Sequence, residues 1–268
     1  MTVQSNGSLA SLDGEIMRAS EAKISATDDG FLRGDGVFDA ARIYDGRLFA
    51  FEDHLQRLKR SAANIRLSFD TEAVRAEAYR LLAEAGAGPD HQVLRIILTR
   101  GGRRLLMTEP VPQLPEQLRL ATITYSPTRV LDGVKSLSYG ANMLARRLAR
   151  ERGCDDALLV TPHGRVLEAP TASIFWVSGG AIRTPPLDEH ILASITRRIV
   201  IEETGAVEQS VTLDEFVNAE EVFLASTVRE VHPVVAVDEH EFTAPGPVSA
   251  DTAAKVSARI QSDLAAAR

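Results

Sequence analysis

Lys135 lies where a short run typical of a strand meets a run typical of a helix, in the segment DGVKSLSYGANMLARR. A neutral lysine amine can attack a carbonyl carbon and form a Schiff base, which would make it a covalent anchor for a cofactor. Nearby cations such as Arg146 and Arg147 favour the neutral form of a lysine amine. Most lysines, however, are solvated surface charges. Lys135 alone therefore leaves both interpretations open.

A second candidate is Glu168, which falls on a turn between two strand-like runs in VLEAPTASIFWV. A carboxylate against a pyridine nitrogen keeps that nitrogen protonated, and this is what pyridoxal chemistry requires. The ordinary alternative is a solvated turn glutamate.

The same chemistry also needs a cradle for a phosphate, built from backbone N–H groups at a helix start, hydroxyls and an arginine. The sequence offers a predicted helix start, the end of a predicted strand and one arginine on a predicted helix. The candidates are Ser194, Ile195, Thr196, Ser226, Thr227 and Arg57. Individually they also fit a helix cap, a strand-end turn and a surface charge.

Composition limits the class of protein. The chain has 268 residues, 44% of them hydrophobic, and a formal net charge of -7, which is enough apolar material for one large or two moderate folded domains. Basic residues are mixed with acids, so no nucleic-acid or anionic-membrane surface is expected. The N-terminal region lacks the pattern of a secretory signal, and no apolar run approaches the roughly 20 residues of a membrane span, so we expect a cytoplasmic location. The single cysteine, Cys154, and six histidines without metal-ligand spacing predict neither a disulfide nor a metal site.

In the first half, Asp-Gly turns in LASLDGEIM and AARIYDGRLFAF predict β-hairpins. The apolar spacing then changes to three and four residues, which predicts a helix from Phe51 and a second over TEAVRAEAYRLLAEAGAG. HQVLRIILTRGG predicts a strand. The prolines of MTEPVPQLPEQ indicate a connector, so we predict domains at 1–112 and 113–268 with a linker at about 110–116.

In the second half, QLRLATITY predicts a strand, followed by a helix from about Ser136 to Arg152. DALLVTPHGRVLEAPTASIFWV predicts three short strands, SITRRIVIEETGA a helix, EEVFLAST and VVAVDEHEF strands, and the last stretch a helix. The elements describe an α+β, or mixed α/β, protein with two domains. They lack the regular strand–helix alternation of a doubly wound fold.

These segments, taken in order, resemble the class IV (fold type IV) pyridoxal-phosphate enzymes: branched-chain aminotransferases, D-amino-acid aminotransferases and aminodeoxychorismate lyases. The resemblance runs roughly from Asp28 to Pro233 through GDGVFDAARIYDG, HLQRLKRSA, VLRIILTRG, GVKSLSYGANMLARR, VLEAPTASIFW, SITRRIV and FLASTVREVHPV. It implies a small N-terminal α/β domain, a larger C-terminal domain with a β-barrel-like sheet, pyridoxal 5'-phosphate as cofactor, and a homodimer.

The resemblance also implies roles for individual residues. Lys135 matches the Schiff-base lysine and proton shuttle, and Glu168 matches the partner of the pyridine nitrogen. Arg57, Ile195, Thr196 and Thr227, with Ser226 beside them, match phosphate-binding positions. Tyr139 and Ser173 fall near positions that support the cofactor ring and the glutamate turn.

The resemblance leaves the reaction open, because one cofactor supports several reactions. Arg95, inside an apolar strand, and Asp39, in VFDAAR, resemble residues of the aminotransferases more than those of the lyases. Arg103 and Arg104 could bind a substrate carboxylate, and Phe31 and Val37 are predicted pocket walls.

We therefore predict an aminotransferase that moves an amino group from a small amino acid, branched-chain-like or D, or from a primary amine, to a 2-oxo acid. The segment KSLSYGANMLARR resembles the lyases at least as much as the aminotransferases, so 4-amino-4-deoxychorismate lyase, which releases pyruvate, is the alternative. A non-catalytic pyridoxal-phosphate-binding protein is a minor one.

Overall fold

The computed structural model describes residues 7–88 and 91–266. The chain divides into two compact units, and each is described by itself. Among the described residues, the N-terminal unit is built from 7–88, 91–113 and 133–139, and the C-terminal unit from 114–132 and 140–265. The short piece Gly133–Tyr139, which includes Lys135, thus belongs to the N-terminal unit although it follows the predicted linker.

The N-terminal unit is an antiparallel sheet with helices. Its strands are β1 (Leu9–Leu12), β2 (Glu15–Arg18), β3 (Gly36–Tyr44), β4 (Arg47–Leu48), β5 (Val93–Thr99) and β6 (Arg104–Glu109), in the order β2-β1-β6-β5-β3-β4. Its helices are α1 (Asp29–Arg33), α2 (Phe51–Asn64) and α3 (Thr71–Ala85). The core contains buried side chains from β3, β5, β6, α2 and α3.

Local sequence explains the turns of this unit. Asp13 and Gly14 join β1 to β2, and Asp45 and Gly46 join β3 to β4. All four have positive φ, between 48° and 97°, and two-residue hairpin turns of this kind match the twist of the flanking strands. The Asp70 side chain caps α3 by accepting from the backbone N–H groups of Glu72 and Ala73.

The C-terminal unit contains a mixed sheet curled into a half-barrel. Its strands are β7 (Leu118–Thr124), β8 (Asp156–Val160), β9 (Ser173–Ser178), β10 (Ala181–Thr184), β11 (Val207–Glu208), β12 (Glu221–Ser226), β13 (Glu230–Val237) and β14 (His240–Glu241). They follow the order β11-β10-β9-β12-β13-β7-β8, with β14 paired to β13. Its helices are α4 (Gly140–Glu151), α5 (Ile195–Thr204), α6 (Leu213–Phe216) and α7 (Pro247–Ala266).

The central strands of this sheet are buried on both faces, as their continuous apolar runs require. On β9, Ile174 and Trp176 belong to a core on one face. Phe175 points to the other face and stacks on Phe223 of β12, with ring centroids 5.0 Å apart. The prediction of a mixed α/β protein is confirmed.

The predicted start of the helix after Lys135 is wrong. The helix begins at Gly140, not Ser136, because the preceding residues pair with β3 instead. The Phe38 N–H donates to the Lys135 carbonyl at 3.0 Å, and the Leu137 N–H donates to the Gly36 carbonyl at 2.9 Å. The segment Arg104–Glu109, for which the sequence predicted no strand, forms β6. The middle of the three predicted short strands forms only isolated bridges, Val166 with Val160 and Arg165 with Thr212.

This pairing generates a stability prediction at Gly36. A Cβ there would lie 2.3 Å from the Leu98 carbonyl oxygen and 2.6 Å from Leu137 Cδ1. We expect Gly36→Ala to lower the free energy of unfolding by about 1–3 kcal/mol, because a backbone atom must move. Gly140→Ala is the control, since its Cβ would meet nothing within 4 Å; it should leave the stability unchanged or raise it. Urea unfolding measures both, and equal stability of the two variants would contradict the prediction.

Candidate active site

The main chain of Lys135 is fixed from two sides within the N-terminal unit. Its carbonyl accepts from Phe38 of β3, and its N–H donates to Ser61 Oγ of α2 at 3.1 Å. Ser61 itself is fully buried. A sheet and a helix thus hold this residue, so its side chain starts from a defined position.

Two aromatic rings lie against the Lys135 amine. Its Nζ is 4.4 Å from the Phe38 ring centroid and 5.8 Å from that of Tyr139, and these rings meet edge to face at 5.2 Å. Ring faces attract the ammonium form. Lys135 and Tyr139, both predicted site residues, are therefore brought together. Phe38 was not predicted.

The prediction named Val37 as a pocket wall, but the structure places Val37 in the hydrophobic core, fully buried. Side chains alternate between the two faces of a strand, so its neighbour Phe38 occupies the face toward Lys135. Both residues are apolar, and the sequence offered no sign of which one faces the lysine. Phe31, the other predicted wall, lies on α1 and is 74% exposed.

On the face of β3 that packs against the helices, Asp39 forms a buried ionic network with α2. Arg57 donates from Nε and Nη2 to the two Asp39 carboxylate oxygens at 2.8 and 2.7 Å, and His54 Nδ1 lies 2.8 Å from one of them. Burial alone would raise the pKa of Asp39, but the charges and hydrogen bonds of Arg57 and His54 outweigh it and hold that pKa far below its ordinary value. Burial also lowers the pKa of His54, against the opposing effect of Asp39. The network therefore contains an ionised carboxylate and a neutral imidazole.

Each of the three predicted substrate arginines pairs with a carboxylate of the same unit. Arg95 donates from Nε and Nη2 to Glu109 at 2.6 and 2.8 Å, Arg103 donates to Asp13 at 2.7 Å, and Arg104 donates to the buried Glu77. Only Arg95 also lies over Phe38, with its Cζ 5.8 Å from the ring centroid. The structure therefore brings Arg95 and Lys135 to one ring.

In the C-terminal unit, Glu168 was predicted on a turn, but it lies just before the turn that Pro170 and Thr171 form. Its carbonyl accepts from the Leu159 N–H at 2.9 Å, and the Leu192 N–H lies 3.3 Å from each carboxylate oxygen. Burial and the charge of Glu168 raise the pKa of Tyr125. Asn142 of α4 ties the turn by donating to the Pro170 carbonyl at 3.1 Å.

The predicted phosphate-binding segments of this unit also have defined geometry. Ser194 caps α5 by accepting from the Arg197 N–H at 3.2 Å, and Ile195 and Thr196 form the first turn. At the end of β12, the Ser226 hydroxyl accepts from the Arg229 N–H at 3.2 Å; Thr227 is the next residue along. A helix start of this kind binds anions through its N–H groups.

Ser173, at the start of β9, is 1% exposed, and its Oγ has no hydrogen-bond partner among the described residues. A buried hydroxyl without a partner is costly, which points to a group that supplies one.

Each unit by itself holds groups of the kinds that pyridoxal phosphate requires: the N-terminal unit has an anchored lysine and a buried arginine, and the C-terminal unit has a held glutamate, a hydroxyl with no partner among the described residues and a capped helix start. Within residues 7–88 and 91–266, no group of His, Cys, Asp or Glu could hold a metal ion, and no helix is long and apolar enough to cross a membrane.

Residues 36–237 match the family model described as amino-transferase class IV. The chain belongs to the class IV aminotransferases. It is 32% identical to a putative branched-chain-amino-acid aminotransferase of Methanocaldococcus jannaschii, over 85% of this chain and 87% of that protein. It is 30% identical to a D-alanine aminotransferase of Bacillus licheniformis, over 94% and 97%.

Solved structures agree with this assignment. A fold IV transaminase of Curtobacterium pusillum superposes with a TM-score of 0.83 at 29% identity, covering 93% of this chain and 98% of that one. A 4-amino-4-deoxychorismate lyase of Pseudomonas aeruginosa gives a TM-score of 0.80 at 27% identity, covering 92% and 98%. The predictions of family and of aminotransferase activity are confirmed, and this class IV aminotransferase is an enzyme rather than a non-catalytic binding protein.

The buried His54 generates a pH prediction. Because folding lowers its pKa from about 6.5, the unfolded state binds this proton more readily. Its contribution to stability is present above about pH 6.5 and is lost as the pH falls below it. We expect the free energy of unfolding to fall less steeply between pH 7.5 and 5.5 in His54→Gln than in the wild type. The exposed His163 supplies the control, and a His163→Gln slope as shallow as that of His54→Gln would refute the assignment.

Proposed function

We propose that this enzyme transfers an amino group from a small amino acid, branched-chain-like or D, or from a primary amine, to a 2-oxo acid, using pyridoxal 5'-phosphate. The observation that carries the proposal is the placement of Lys135, which is fixed by β3 and α2 and faces two rings. The branched-chain and D-alanine aminotransferases among its relatives support both substrate classes.

When bound, pyridoxal phosphate supplies a carbonyl carbon for amine attack and a ring that accepts electrons. Lys135 Nζ would hold the cofactor covalently until the donor amine takes its place. The freed Nζ would then move a proton from the donor Cα to the cofactor. The anchored main chain of Lys135 restricts the positions that Nζ can take, which suits an intramolecular proton shuttle.

Glu168 is assigned to the pyridine nitrogen. The Leu192 N–H lies beside both of its oxygens, and the carboxylate held there would accept a hydrogen bond from the protonated ring nitrogen. Tyr139 and the partnerless hydroxyl of Ser173 are assigned to support the ring and the glutamate turn.

The phosphate is assigned to the start of α5, through the Ile195 N–H and Thr196, and to the hydroxyls of Ser226 and Thr227. Arg57 is the proposed guanidinium partner. Its bidentate bond to Asp39 fixes the plane of the guanidinium, which suits directional recognition of an oxyanion.

On the substrate side, we assign the substrate's side-chain group to Arg95, because Arg95 shares the Phe38 ring with Lys135. Phe38 takes over the wall predicted for Val37, and Phe31 stays a candidate wall. Arg103 and Arg104 would first have to release Asp13 and Glu77. A homodimer is proposed from the family resemblance, and the cytoplasmic location expected from the sequence is kept as a proposal.

The second candidate is a lyase that releases pyruvate from 4-amino-4-deoxychorismate, and the likeness to the Pseudomonas aeruginosa enzyme favours keeping it. An assay without an amino acceptor distinguishes the two reactions, because the lyase needs no acceptor whereas an aminotransferase needs a 2-oxo acid.

A half-reaction tests the proposal. We expect the purified protein with pyridoxal phosphate to absorb in the visible, and one donor among D-alanine, L-leucine, L-glutamate and (R)-1-phenylethylamine to bleach that band without an acceptor. Lys135→Ala should lose both the band and turnover, whereas Lys255→Ala, on an exposed ion pair with Asp251, should keep them. Persistence of the band with every donor, together with pyruvate release from aminodeoxychorismate, would favour the lyase; full activity of Lys135→Ala would refute the mechanism.

Glu168→Gln should lower kcat by about 10²-fold or more, because a neutral amide cannot hold the ring nitrogen protonated, while the unfolding temperature changes little. Glu220→Gln is the matched control, since Glu220 also accepts from a backbone N–H, that of Gly179 at 2.7 Å. Stopped-flow measurement of the donor half-reaction reports the step concerned. An unchanged rate in Glu168→Gln would remove its assigned role.

A further inference from the structure

Arg95 has an acidic neighbour whose position is set by the sheet. On β5 Arg95 lies opposite Met107 of β6, and Glu109 lies opposite Val93. Alternation places Val93, Arg95 and Glu109 on one face, so Glu109 is the diagonal neighbour of Arg95. The two side chains form a bidentate pair with distances of 2.6 and 2.8 Å.

This pair is partly removed from water, with side-chain exposures of 33% for Arg95 and 20% for Glu109. Burial alone would lower the pKa of Arg95, but the hydrogen bonds and charge of Glu109 raise it. Charges in such a setting interact more strongly than an exposed pair. Glu109 therefore neutralises Arg95 more effectively than a surface acid would.

The pair also lies next to the proposed chemistry. The Arg95 guanidinium and the Lys135 amine face the same Phe38 ring, at 5.8 and 4.4 Å from its centroid. In the register of the sheet Phe38 is opposite Ile97 and Ala40 is opposite Arg95. Glu109 lies on β6 opposite Val93, two residue pairs beyond Arg95, so it lies on the side of Arg95 away from Phe38.

An anion that approaches Arg95 from the side of the ring meets two opposing charges. The guanidinium attracts it, and the Glu109 carboxylate directly behind the guanidinium repels it. An uncharged substrate group at the same place is neither attracted by the guanidinium nor repelled by the carboxylate. The net effect of Glu109 is to weaken Arg95 as a site for an additional carboxylate.

We infer that Glu109 is a specificity-determining residue that selects against amino donors and 2-oxo acids whose side chain carries a second carboxylate. Preferred substrates would then have uncharged side chains. The inference rests on the proposed function, because it assigns the substrate's side-chain group to Arg95.

The test is Glu109→Gln, which retains an oxygen acceptor for Arg95 but removes the charge. With glutarate and pentanoate as non-reacting acids of equal chain length, calorimetry on the cofactor-loaded protein measures both dissociation constants. We expect that for glutarate to fall about tenfold and that for pentanoate to stay within twofold. The ratio of kcat/KM for glutamate over alanine, in the configuration the enzyme accepts, should rise by a similar factor. Glu109→Ala should shift this ratio, and the ratio of the pentanoate to the glutarate dissociation constant, in the same direction.

Glu52→Gln is the matched control, because Glu52 forms the same bidentate pair with Arg75 between α2 and α3, at 2.9 and 2.7 Å. It should leave both ratios unchanged. Equal tightening of the two acids would overturn the inference, since Arg95 would then receive the carboxylate common to both. Weaker binding of both would also overturn it and leave Glu109 an orienting role. Failure of every donor half-reaction would refute the proposed function instead, and the two acids, which need no turnover, would still decide the role of Glu109.

Discussion

The N-terminal unit depends on one buried charge, the carboxylate of Asp39. An ion removed from water costs several kcal/mol unless it is paired and hydrogen-bonded. The pairing groups, His54 and Arg57, both belong to α2, so the helix has to present this face to β3. Ser61 lies one turn beyond Arg57 on the same face, and it accepts the N–H of Lys135. The carboxylate thus fixes the helix, and the helix fixes the lysine.

β3 serves two purposes because its side chains alternate. Val37, Asp39 and Ala41 are buried on the face that packs against the helices. Phe38, on the other face, contacts the Lys135 amine and the Arg95 guanidinium. A change that shifted the register of this strand by one residue would exchange the ionic network and the aromatic ring. The strand therefore couples the stability of the unit to the geometry around the lysine.

The sequence predicted local elements well where local chemistry decides them. Asp-Gly turns and the change of apolar period at Phe51 are signals of this kind, and the helix begins at Phe51. The segment after Lys135 was misread because Ser136 and Leu137 have no local feature that forbids a helix, and distant pairing with β3 overrides their propensity. The phase of β3 could not be read either, because Val37 and Phe38 are both apolar. The resemblance supplied candidate residues, but not the acidic partners of the arginines, which are set by strand pairing and packing.

Those partners determine which arginine can meet a substrate. Arg103 and Asp13 form a half-exposed pair, and such a pair contributes little, so it opens at small cost. Arg104 pairs with Glu77, which is nearly buried, and releasing that carboxylate would leave it without compensation. Arg95 is intermediate in exposure and is the one of the three that shares a ring with Lys135. Recognition of substrate charge in this enzyme therefore follows from the acids that hold the arginines as much as from the arginines themselves.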